Sequence, residues 1–184
     1  MKLTIGVMGA SAIADPNFEA LAFEAGQHVA RAGAVLITGA TTGLPYAAAR
    51  GAKAAGGEVI GFSPAIDYAH HKHAGYPLEN HDLIFCTGLT SHGRNILNVR
   101  ASHGLLFIGG SMGALNEFTI AYDENKIIGV LVGTGGFCDH LQEWMAHLAK
   151  PMNRAVLIYH HNPQALVNEV MNAIRNRAAE LGLE

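Results

Sequence analysis

Charge is scarce in this sequence. Only 15% of its 184 residues are Asp, Glu, Lys or Arg, and the formal net charge is −3. No basic stripe stands out, which argues against a nucleic-acid binder working through bulk charge. Cysteine is nearly absent. Cys86 and Cys138 lie far apart, in no metal-ligand spacing, and read as buried thiols in a reducing compartment. No apolar run approaches a bilayer span, and the short apolar stretch after Lys2 lacks the length and flanks of a secretory signal. The expectation is a cytoplasmic protein without membrane or nucleic-acid partners. Repeats and low-complexity linkers are missing too, so residues 1–184 are expected to form one domain.

Apolar residues and glycine are abundant. Hydrophobic residues make up 49% of the chain, which excludes dominant disorder and supplies a core without disulfides. The 22 glycines gather mostly at the ends of apolar runs. Residues 3–9, 34–38, 58–62, 82–87, 105–108, 127–132 and 155–159 read as strands. They are continuous apolar runs, as in a parallel sheet covered on both faces. Helical spacing follows Asp15-Pro16, continues over residues 44–55, 93–102, 113–125 and 139–148, and resumes after Asn162-Pro163. Strand and helix alternate, so the fold class is α/β with a mostly parallel sheet flanked by helices. Residues 63–81 show no period and are expected to form an irregular segment, a candidate lid.

Right-handed crossovers bring every strand's C-terminal end to one edge of the sheet, where open α/β sheets bind ligands. Four glycine-rich turns are expected there. They contain Gly9 and Ser11; Gly39, Thr41, Thr42 and Gly43; Gly109, Gly110, Ser111, Gly113 and Ala114; and Gly133, Thr134 and Gly135. A glycine turn that opens a helix exposes backbone N–H groups beside the positive end of the helix dipole, which suits a phosphate. The spacing is not a dinucleotide fingerprint, no Walker lysine-serine pair exists, and Ala65 spoils a nucleophile elbow around Ser63. Two charges stand out near the same edge. Arg94 can hold a phosphate or carboxylate, and Glu117 can polarise a sugar hydroxyl or activate a water. As structural groups, Arg94 would be a solvated helix residue and Glu117 a partner for its helix dipole.

Arg94-Asn95 and the stretch Gly109-Gly110-Ser111-Met112-Gly113-Ala114-Leu115-Asn116-Glu117 resemble the paired motifs of the LOG family, long labelled lysine decarboxylases. Asn116 to Tyr122 and the turn from Gly133 to Gly136 look closer to a branch that includes molybdenum-cofactor carriers. The resemblance covers nearly the whole chain and implies a Rossmann-like three-layer fold. It also implies homo-oligomers, dimers or larger. For the activity it implies phosphoribohydrolase chemistry on nucleoside 5′-monophosphates rather than decarboxylation. The glycine loop would hold the 5′-phosphate, Glu117 would contact the ribose and assist water attack, and Arg94 would support the departing base. The alternative is a carrier or sensor that binds molybdenum cofactor or a nucleotide without chemistry. No cofactor is expected to be required.

The chain departs from the family pattern at several positions. Asn95 replaces a lysine, Ala114 a threonine, Ile108 a proline, and Thr38-Gly39-Ala40 a triple glycine. Losing a hydroxyl that binds a charged phosphate costs about 1.5–3 kcal/mol, which Ser111 could restore. These changes weigh against hydrolysis more than against binding.

Eleven histidines are many for this length. His70, His71, His73 and His81 fall within the irregular segment, but few further ligands lie nearby, and no metal site is expected. His92 is placed to border the ligand. Tyr46 and Tyr76 are candidates to stack on a base or to pack on the surface. Met112 would line the base pocket or pack, and Trp144 would be core or a subunit contact.

Overall fold

A computed structural model describes residues 2–12, 15–148, 150 and 152–182. The outermost positions of the expected domain, residues 1, 183 and 184, lie outside the described residues. Seven parallel strands form one sheet: β1 (Thr4–Gly9), β2 (Val35–Thr38), β3 (Val59–Ser63), β4 (Leu83–Cys86), β5 (Gly104–Ile108), β6 (Ile127–Leu131) and β7 (Val156–His160). Their order across the sheet is β4-β3-β2-β1-β5-β6-β7. The central strands β2, β5 and β6 are buried at every position, the burial expected of continuous apolar runs. The three-layer α/β fold expected from the alternating elements is the one observed.

One face of the sheet carries α1 (Pro16–Arg31), α2 (Leu44–Ala54) and α8 (Pro163–Glu180), over a core that includes Ile5, Val7, Leu36, Leu106 and Val170. Asp15 and Asn162 cap their helices as expected, accepting from the amides of Asn17 and Ala165. Helices α1 and α2 cross closely because Gly26 and Gly51 lack side chains. A Cβ on either would run into a carbonyl of the other helix, Ala48 or Phe23. The opposite face carries α5 (Asn95–Arg100), α6 (Met112–Asp123) and α7 (Leu141–Leu148), over Met8, Leu105, Phe107 and Val130. No helix among the described residues is long and apolar enough to cross a membrane.

Two expectations need correction. Residues 63–81 are not irregular throughout: Asp67 caps a short helix, α3 (Tyr68–His73). Residues 93–102 do not form one helix. They split into α4 (Thr90–Gly93) and α5, with Arg94 at the junction, where its side chain turns inward.

Candidate functional site

The chain runs outward from β1 through β2 and β3 to β4, then returns to pair β5 on the other side of β1. At that switch the loops after β1 and β5 lead in opposite directions and leave a crevice beyond the strand ends. A cleft of about 350 Å³ occupies it. Met8, Gly9 and Ser11 line it from β1, and Gly39, Thr41 and Thr42 from the β2 turn. Ser111, Gly113, Ala114 and Glu117 enter from α6, and Tyr76, Ser91, His92, Arg94 and Asn95 complete the lining.

The start of α6 is open to this cleft. Ser111 occupies the N-cap position, but its hydroxyl makes no capping bond. First-turn amides have no partner within their own helix, so those of Met112, Gly113 and Ala114 remain available beside the positive end of the dipole. A Cβ on Gly113 would meet nothing within 4 Å.

Arg94 and Glu117 form an ion pair at 3.1 Å, with side chains only 8% and 7% exposed. Arg94 Nη1 donates to Glu117 Oε1 and to Asn95 Oδ1 (2.9 Å). Asn98 Nδ2 also donates to Glu117 Oε1, at 2.8 Å, and Asn95 Nδ2 donates to Asn116 Oδ1, at 2.8 Å. Gly39 makes room for the guanidinium: a Cβ there would overlap Arg94 Nη2. Burial pushes the Glu117 carboxyl above its ordinary range and the Arg94 guanidinium below its own; their attraction and the Asn98 bond offset part of this. Arg94 Nε and Asn98 Oδ1 are buried without a protein partner. A buried, imperfectly paired charge cluster lowers stability relative to apolar packing, so its place is under the cleft rather than in the core for its own sake.

A profile of the SLOG cluster4 family matches residues 2–167. The chain belongs to that family. An uncharacterised protein of Archaeoglobus fulgidus is 33% identical over 132 residues, 71% of this chain and 82% of its own length. The molybdenum cofactor binding protein of Rippkaea orientalis is similar in structure, with a TM-score of 0.77 and 26% identity over 95% of this chain and 98% of that one. The molybdenum cofactor carrier protein of Chlamydomonas reinhardtii gives a TM-score of 0.77 and 25% identity, covering 95% of this chain and 99% of that one. The LOG-type resemblance, with its carrier-like branch, therefore holds for this SLOG protein.

The structure separates the expected site residues of this SLOG chain into two groups. Gly9, Ser11, Gly39, Thr41, Thr42, Ser111, Gly113, Ala114, Arg94 and Glu117 share the cleft. Gly43 does not line it. It sits at φ +90 behind the cleft, where a Cβ would strike Ala10 and Ser11. The turn after β6 is spoken for. Asp139 accepts from the amides of Gly133 (2.6 Å) and Gly135 (3.0 Å), filling the anion-binding position with the chain's own carboxylate. Thr134 donates to the Leu131 carbonyl and accepts from Gly109 N. Gly109 O accepts from the Cys138 thiol, and Gly110 O from Phe137 N, so both glycines brace β5 against β6. Gly109, Gly110, Gly133, Thr134 and Gly135 do not line the cleft, and these bonds tie the turns after β5 and β6 together.

The histidines are dispersed. Among the described residues, no three His, Cys, Asp or Glu side chains gather as a metal site requires. His71 is fully buried between Ser63 Oγ (2.8 Å) and the Pro77 carbonyl (3.1 Å). His81 bridges Thr38 Oγ1 (3.0 Å) and the Glu79 carbonyl (3.0 Å), and burial lowers its pKa. These two contacts tie residues 63–81 to the sheet. Tyr46 stacks on His81 away from the cleft, and Met112 is 77% exposed outside it. Trp144 is 38% exposed and stacks on His140 rather than filling the core. Cys138 is buried, whereas Cys86 is only half-buried. Sequence reasoning missed Asn98 and Asn116. Asn98 lies four residues after Arg94, a helical spacing that brings side chains together.

Proposed function

We propose that this protein binds a phosphate-bearing, nucleotide-like or pterin-like ligand in the β1–β5 cleft and carries or senses it without cleaving it. The observation that carries the reading is the uncapped start of α6, opening into the cleft beside Arg94. The ligand phosphate lies against the amides of Gly113 and Ala114, with Ser111 Oγ as a further donor. Molybdenum cofactor is the first candidate cargo, because two similar structures are those of proteins named for binding or carrying it. Asn95 supports binding over turnover, since it accepts from Arg94 Nη1 and helps hold the guanidinium against Glu117.

Hydrolysis is the second reading, favoured by Glu117 in the cleft wall with a raised pKa suited to proton transfer. Water would attack the anomeric carbon, the N-glycosidic bond would break, and ribose 5-phosphate and free base would leave. One experiment separates the two. Purified protein is incubated with molybdenum cofactor and with a panel of nucleoside 5′-monophosphates, then resolved by gel filtration and by chromatography of released base. Retention without base release is the expected result. Base release that Glu117→Gln abolishes would establish the hydrolase instead, and neither retention nor release would remove both readings.

The proposal includes self-association. Helices α5 and α6 leave one face of β3 and β4 without a helix cover, where Phe85 stacks on Phe62 and Leu83 and Phe85 are 45% and 47% exposed. A second copy would cover this uncharged strip.

A further inference from the structure

Two stretches of the cleft lining hang from one buried residue, Ser63, which is fully inaccessible at the end of β3. Its hydroxyl faces one wall. The Pro77 carbonyl can only accept, so His71 Nε2 donates to it, and Nδ1 is hydrogen-bonded to Ser63 Oγ. His71 in turn sets Tyr76: its carbonyl accepts from Tyr76 N (3.2 Å), and its ring meets the Tyr76 ring edge-on with centroids 5.5 Å apart. The backbone of Ser63 faces the other wall. Its carbonyl accepts from Thr87 N (3.0 Å) and Thr87 Oγ1 (2.8 Å), fixing the start of the loop that leads through Thr90 to Ser91 and His92. Thr90, a β-branched residue, is held at φ +60 at the first position of α4. Tyr76, Ser91 and His92 all line the cleft, and Arg94 lies beneath them.

Resting on the phosphate reading above, we infer that Tyr76 and His92 form a ring-binding subsite that takes the planar heterocycle of the ligand. The phosphate end meets amides and a dipole, which recognise charge and not shape. Elsewhere in its lining the cleft offers two ring side chains, Tyr76 and His92, whose faces suit any flat nitrogen heterocycle, purine or pterin. A cleft of about 350 Å³ lies within the range of small-ligand pockets and matches one mononucleotide-sized molecule better than a dinucleotide. The ligand class is therefore a single fused-ring heterocycle joined to a phosphate. Tyr46, the other tyrosine near the edge, is excluded from this role, because its ring is stacked on His81 with Arg50 on it and its hydroxyl accepts from Asn80.

The test is calorimetric titration of the intact protein with ribose 5-phosphate, GMP, AMP and a pterin monophosphate. In the wild type, at least one ring-bearing ligand should bind about five-fold or more tighter than ribose 5-phosphate. Tyr76→Leu should erase that preference by weakening the ring-bearing ligand about five-fold or more while leaving ribose 5-phosphate within about two-fold. Tyr76→Phe, which keeps the ring, should retain the preference and shows that the site still folds around position 76. A preference that survives Tyr76→Leu, or no preference in the wild type, overturns the ring subsite and leaves the phosphate site standing. No binding of any of the four ligands overturns the phosphate reading and the subsite with it.

Discussion

At the residue scale the chain keeps a costly arrangement. Glu117 is held at 7% exposure, and burial raises its pKa despite Arg94 and Asn98. The sign follows from linkage. A carboxyl that binds its proton more tightly in the folded state contributes stability that is complete below the ordinary glutamate pKa and is lost as pH rises through the raised value. Glu117→Gln keeps an oxygen for Arg94 and Asn98 but cannot ionise. Its stability relative to wild type should therefore climb from about pH 4 upward. Urea denaturation across that range measures it, and a variant that loses ground as pH rises would reverse the sign. Arg94→Met should behave oppositely, costing about 3 kcal/mol or more at neutral pH because it strands a buried carboxylate. Thermal melts of Glu117→Gln beside the wild type separate loss of function from loss of fold.

At the element scale, α6 and the turn after β6 show two fates of a similar motif. Both follow strands of the same parallel sheet and both begin with glycines. The β6 turn is closed by Asp139, while α6 starts with its amides unclaimed. A side chain at Gly113 would point into open space, so Gly113→Ala should leave stability within about 0.5 kcal/mol of wild type. Gly113→Leu should also fold, but should abolish retention of phosphate ligands by filling the cleft. Thermal melts and gel filtration with bound ligand measure the two effects. Asp139→Ala should cost about 1–3 kcal/mol in denaturant unfolding, because it removes the acceptor of two backbone amides, and it should leave ligand retention intact. Ligand loss in Asp139→Ala would reopen the β6 turn as part of the site.

At the scale of the whole molecule, the site exists because strand order reverses at β1. The loops that end β1, β2 and β5, with the lining from residues 76 to 95, come from distant parts of the chain and meet only there. The uncovered apolar face of β3 and β4 is a property of the same sheet, whose helix layer ends before its edge. Light scattering should give a mass above the 19.4 kDa of one chain. Phe85→Lys should shift it toward one chain without unfolding it, because the side chain is already 47% exposed. A wild type of single-chain mass would refute self-association.

The layering, and the gathering of glycine-rich turns at one sheet edge, were legible in the residue pattern alone. Continuous apolar runs favour strands covered on both faces, as β2, β5 and β6 are, and Asp15, Pro16, Asn162 and Pro163 act on their own helix starts. The sequence also marked Arg94 and Glu117, because charge is so sparse that two charged residues near glycine turns stand out. Only the tertiary structure decided which glycine turns remain open. Asp139 turned out to neutralise one of them, and no local pattern distinguishes a free nest from one filled by a nearby carboxylate. The same holds for the segment from 63 to 81. Its histidines fall in a stretch without sequence period, yet His71 and His81 each find a buried hydroxyl on a strand. Thr38 is brought to His81 across 43 residues by the pairing of distant strands, and Ser63 to His71 by the turn of the chain into α3, neither of which shows as a periodic pattern.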